Sequence, residues 1–153
     1  MIKLLSALEN RLDPFRSGDN VFVGLRAHGT FESLHLRAAC RSESAVPLVE
    51  ATSHQREWTV QEVTGTLVGF WSPAYSRAVA VTGYHLHFLS DDRSQAGHVL
   101  DLASPRLEVA FHDVHDLHLA LPESAEFLRA DLSGDPTAAL DVAEHGTDRG
   151  AVR

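Results

Sequence analysis

The chain has 153 residues, with 13 Lys and Arg set against 21 Asp and Glu, and a formal net charge of −8 when its 10 histidines are neutral. That length supports one domain burying about 68–70% of its unfolded surface, and the acidic balance argues against nucleic acid or an anionic membrane as partner, since both would repel the averaged field. Cys40 is the only cysteine, which excludes an intrachain disulfide and a cysteine-built zinc site and agrees with a reducing, cytoplasmic setting.

Residues 1–12 carry one lysine and a broken apolar pattern (Leu4, Leu5, Leu8, Leu12), which predicts a short amphipathic helix and not an export signal. Nowhere do about 18 apolar residues run together, so no transmembrane helix is expected. Asp13-Pro14 and Ser17-Gly18-Asp19-Asn20 break the helix, and 21–26 begins a strand with which 31–39 pairs across His28-Gly29-Thr30. Residues 48–52, 58–61 and 63–70 continue the strand pattern as far as Trp71-Ser72-Pro73, where proline stops ladder pairing. Beyond the histidine-rich stretch, 107–111 and 117–121 read as strands. Pro122-Glu123 opens a helix through Leu128, and Asp135-Pro136 opens a shorter one toward Glu144. The expected fold is an α+β, strand-rich domain over 1–144 with a mixed or antiparallel sheet, a metal-binding hairpin and short C-terminal helices, followed by a polar tail over 145–153.

The chemistry concentrates in Gly83-Tyr84-His85-Leu86-His87-Phe88 and Gly97-His98-Val99-Leu100. On a strand, His85 and His87 leave one face while Tyr84, Leu86 and Phe88 leave the other. The polar run 89–97 ends in glycine and joins two antiparallel strands. With the turn symmetric about Arg93 and Ser94, Leu89 faces His98, His87 faces Leu100, and His98 lies diagonal to His87. Diagonal neighbours sit roughly 7–8 Å apart, near enough for imidazoles to lean toward one ion at about 2.0–2.1 Å per bond. Three protein ligands with a fourth position open is the catalytic pattern for zinc. Spacing alone leaves two readings standing, a metal site or a solvated, hydrogen-bonded group of histidines.

Taken together, Gly65-Thr66-Leu67-Val68-Gly69-Phe70-Trp71-Ser72-Pro73-Ala74-Tyr75, the His85 strand and Gly97-His98-Val99-Leu100-Asp101 resemble the alpha-acetolactate decarboxylase family. The likeness runs from about Leu8 to Glu144 and takes in Leu121-Pro122-Glu123-Ser124 and Glu126-Phe127. It implies that His85, His87 and His98 bind zinc. It also implies a functional arginine at Arg37, within Leu34-His35-Leu36-Arg37 and ahead of Pro47-Leu48-Val49-Glu50, with Arg41 the less favoured choice. A carboxylate that reaches back to the site is implied at Glu144, within Asp141-Val142-Ala143-Glu144. Ordinary burial statistics alone would make Arg37 a solvated strand residue and Glu144 a helix-surface charge. Members of the family carry a further N-terminal portion that adds strands and an acidic residue. This chain starts where that portion ends, so the expectation is a site short of one acid and an uncovered sheet edge or apolar face, suited to a homodimer.

The activity implied is zinc-dependent decarboxylation of 2-acetolactate, a small 2-hydroxy-3-keto acid, to acetoin and carbon dioxide through a metal-stabilised enediolate, without an organic cofactor. The alternative is a zinc-binding remnant with impaired catalysis. A different metal site at His112, His115 and His118, beside Asp113 and Asp116, is set aside because strand alternation sends those side chains to opposite faces.

Overall fold

The computed structural model describes residues 2–38 and 55–134. Cys40, Arg41, the strand expected over 48–52, the helix expected toward Glu144, Glu144 itself and the 145–153 tail lie outside the described residues. In chain order the elements are β1 (Ile2–Lys3), α1 (Leu5–Leu12), β2 (Phe22–Ala38), β3 (Arg56–Ser72), β4 (Gly83–Ser90), β5 (Ala96–Ser104), β6 (Arg106–Val114) and α2 (Ala125–Arg129). The strand-rich expectation holds, and every ladder among the described residues is antiparallel. No helix among them is long and apolar enough to cross a membrane.

The ladders close on themselves: β2 pairs with β3, β3 with β4, β4 with β5, and β5 returns to β2. Inside stand Leu25, Ala27, Phe31, Leu34 and Leu36 of β2, Leu67 of β3, Leu86 and Phe88 of β4, and Val99 and Leu102 of β5. Helix α1 lays Leu5, Leu8 and Leu12, one face by their i, i+3, i+7 spacing, onto this core. Its N-terminus has no local side-chain cap. Asp101 of β5 does that work across the fold, accepting from the Leu5 backbone N–H at 2.7 Å.

Where the sequence reading put a turn at His28-Gly29-Thr30, β2 runs straight through. Gly29 is there for close passage: a Cβ would stand 2.6 Å from the Arg106 carbonyl oxygen of β6. The blurred alternation after Phe31 has a related cause. Inward positions are odd-numbered up to Phe31 and even from Leu34 on. Facing this shift, Glu62 of β3 takes φ 51 and the Glu32–Glu62 pair is skipped, so both strands bend together without losing register.

Two further expectations change. Leu117, Leu119 and Leu121 alternate as a strand would, yet 115–124 joins no ladder among the described residues and these leucines are exposed. Period-two hydrophobicity marks a face, but a strand also needs a neighbour for its backbone groups. The helix read from Pro122 starts at Ala125 instead, because Ser124 caps it, its Oγ accepting from the Phe127 N–H at 3.2 Å.

Candidate metal centre

The β4–β5 hairpin forms as expected, two residues out of the expected register. His87 pairs directly with His98 and Leu89 with Ala96. The turn chemistry explains the shift. The Asp92 carboxylate accepts from Ser90 Oγ at 2.6 Å, Ser94 Oγ at 2.8 Å and the Ser94 N–H at 2.9 Å, while Arg93 sits at φ 60. These bonds gather the loop around Asp92 and Arg93, and hold the Asp92 carboxyl down at about 2. A two-residue slip preserves side-chain parity, so His98 keeps the face foreseen for it while standing opposite His87.

Gly69 brings β3 close behind this hairpin: a Cβ there would meet the His85 carbonyl oxygen at 2.0 Å. On the outer face, His85, His87 and His98 each offer a ring nitrogen within 4.8 Å of the others. The His85 and His87 Nε2 atoms face one another at 2.9 Å, and the ring centroids of the trio lie 4.8–5.4 Å apart. Two nitrogens bound to one tetrahedral zinc at about 2.0–2.1 Å stand roughly 3.3 Å apart. The donor set therefore fits a divalent cation with small ring adjustments, and the exposed position of His87 leaves an approach for a further ligand.

One register row carries the neighbourhood. Across β3, β2, β5, β4, β3 and β2 it reads Glu57, Arg37, His98, His87, Val68, Arg26. Arg37 is the direct cross-strand neighbour of His98 and only 6 % exposed, although Leu34 and Leu36 hold the core-facing positions of its strand. The structure thus brings Arg37 to the histidines and buries it, against the solvated reading that base rates favour. A second row, His85, Phe70, Gly24, His112, runs beside the first. Between the rows lies a cavity of about 590 Å³ whose walls include Arg26, Val68, Phe70, His85, His87 and His112. Arg26 and His112 were not picked out for this place by the sequence reading. Their signal was strand parity on β2 and β6, legible only once those strands were paired. Among the described residues, His112, His115 and His118 do not gather as a ligand set.

Fold and site together define an antiparallel β-domain carrying a three-imidazole cluster, two of whose rings, His85 and His87, line a cavity. The family model for alpha-acetolactate decarboxylase matches residues 3–134, and the chain belongs to that family. It is 34% identical over 142 residues to the alpha-acetolactate decarboxylase of Bacillus licheniformis, covering 92% of this chain and 56% of that protein. To the enzyme of Lactococcus lactis subsp. cremoris it is 36% identical over 139 residues, covering 90% and 59%. The crystal structure of alpha-acetolactate decarboxylase from Bacillus subtilis strain 168 superposes with a TM-score of 0.87 at 30% identity, covering 95% of this chain and 64% of that one. The chain spans less than three fifths of the length of those two sequence relatives.

Proposed function

We propose that this chain binds zinc through His85, His87 and His98 and decarboxylates 2-acetolactate to acetoin. The observation that carries the reading is the convergence of the three ring nitrogens within 4.8 Å on an accessible face, beside a buried arginine. When bound, zinc supplies a Lewis acid that stabilises by several kcal/mol the charge reaching the ketone oxygen as the bond to carbon dioxide breaks. The electron pair of that bond enters the adjacent carbonyl system, and a proton added at the former carboxyl-bearing carbon completes acetoin.

The chain's own residues orient and protonate. Arg37, shielded from water beside His98, orients the substrate carboxylate or assists delivery of that proton. A tight clamp on the carboxylate would stabilise ground and transition states alike and add nothing to the rate. Glu144, assigned by the family resemblance, manages protons near the ion.

The alternative, a zinc-binding module without turnover, is favoured by one feature: Val68 and Phe70, beside the triad, are 47 % and 55 % exposed, which leaves the centre open to water. The test loads the full chain with zinc, measures bound metal, and follows acetoin formation from racemic 2-acetolactate against the uncatalysed rate. Stoichiometric zinc with acetoin production supports the enzyme. Stoichiometric zinc without acetoin leaves the module, and absence of zinc overturns both.

A further inference from the structure

The cavity in front of the triad has a composition out of keeping with the rest of the molecule. The chain carries 21 acidic residues and a net charge of −8, yet among the described residues no carboxylate lines this cavity. Its polar walls are Arg26, His112 and the two ligand-type histidines of β4, and its apolar walls are chiefly Val68 and Phe70. A cleft of one sign with low-dielectric walls concentrates ions of the opposite sign even when the whole molecule repels them.

Among the described residues, Arg26 is the guanidinium that lines this cavity. It lies on the same register row as His87, with only Val68 between them. Two strand intervals of about 4.8 Å separate the Cα atoms, a gap that an arginine side chain largely spans. Arg37 stands at the other end of the same row, next to His98. Two guanidinium groups thus flank the histidines on one face, Arg37 buried and Arg26 exposed. We infer that Arg26 is the specificity-determining residue that receives the carboxylate of a small 2-hydroxy acid as it enters between Val68 and Phe70, leaving Arg37 to the proton step.

This inference rests on the 2-hydroxy acid substrate of the proposed function, and exposure suits the role. A solvated guanidinium attracts the carboxylate without gripping it so hard that the departing carbon dioxide must break a dry ion pair. Arg26 therefore acts on substrate affinity, and Arg26→Ala raises KM about tenfold while kcat stays within about twofold.

A binding measurement separates this inference from the catalytic reading. The probe is 2-hydroxyisobutyrate, which lacks the ketone needed for decarboxylation, with 2-hydroxyisobutyramide as its uncharged counterpart. Both are titrated calorimetrically into the zinc-loaded full chain. Arg26→Ala is expected to weaken the acid about tenfold, the loss of one charge-assisted contact, and to leave the amide unchanged, with Arg26→Lys restoring most of the acid's affinity. No binding of the acid by the wild type, equal affinity in wild type and Arg26→Ala, or parallel loss for acid and amide overturns the inference. Were the wild type to make no acetoin, the decarboxylase reading would fall while the acid-versus-amide comparison still decided the role of Arg26.

Discussion

Arg37 and Tyr84 show how strongly the setting of one side chain departs from what its residue type suggests. Arg37 is buried beside His98 and belongs to neither the core-facing set of β2 nor the ligand set. Its removal should therefore spare the metal and stop the reaction: Arg37→Ala is expected to abolish acetoin formation with zinc content, read by elemental analysis, unchanged. Loss of both together would make it a folding residue. Tyr84, adjacent to His85, turns its ring the other way, toward the end of α1, and its hydroxyl donates to Asp13 Oδ1 at 3.0 Å. Burial first, then the Asp13 hydrogen bond and charge, raises its pKa well above the ordinary 10.0. A folded-state pKa above the unfolded value means this stabilisation is complete below pH 10.0 and drains as pH rises beyond it toward the raised value. Asp13→Asn should bring the onset of tyrosinate absorbance from Tyr84 to lower pH, and an unchanged titration would show that the contact is absent in solution.

At the scale of elements, strand parity was the legible signal and pairing was not. The shared face of His85, His87 and His98 could be read from alternation and a polar turn, and it survived a register error because that error was even. The length of β2 was hidden by Gly29 and by the parity change at Glu32, features set by where β6 and β3 pass. Arg37 could be valued only through family likeness, since nothing local in Leu34-His35-Leu36-Arg37 announces burial. The turn between β4 and β5 gives this scale its prediction. Asp92 is held at about 2 by the two serines, below its ordinary 3.8, so its contribution is present above about pH 3.8 and lost as the solution is acidified toward 2. Protection of the Ser94 N–H, taken relative to its intrinsic exchange rate at each pH, should fall over that window. Asp92→Ala should show the lowered protection at neutral pH, whereas full protection in the variant would mean the turn is held by other bonds.

Across the whole molecule, closure of the ladder ties the site to stability. The return of β5 to β2 joins segments more than sixty residues apart, a contact no local pattern encodes, and it places Arg37 against His98. His85 and His87 sit on β4 and His98 on β5, while Leu8 of α1, 1 % exposed, packs into the core that these strands enclose. An ion shared by the three imidazoles would cross-link two strands of the closed circuit and bind the folded chain in preference to the unfolded one. Stability should then rise by about 2.7 kcal/mol at a free zinc concentration of one hundred times Kd, and fall back on chelation. Leu8→Ala should cost about 2–5 kcal/mol by opening a cavity under the sheet. Because Leu8 packs in the apolar core and is not one of the three clustered histidines, the zinc-dependent increment should persist in Leu8→Ala and vanish in His98→Ala. Denaturant titration of the two variants with and without zinc separates the contributions: an increment that survives in His98→Ala would place the bound ion somewhere other than the triad.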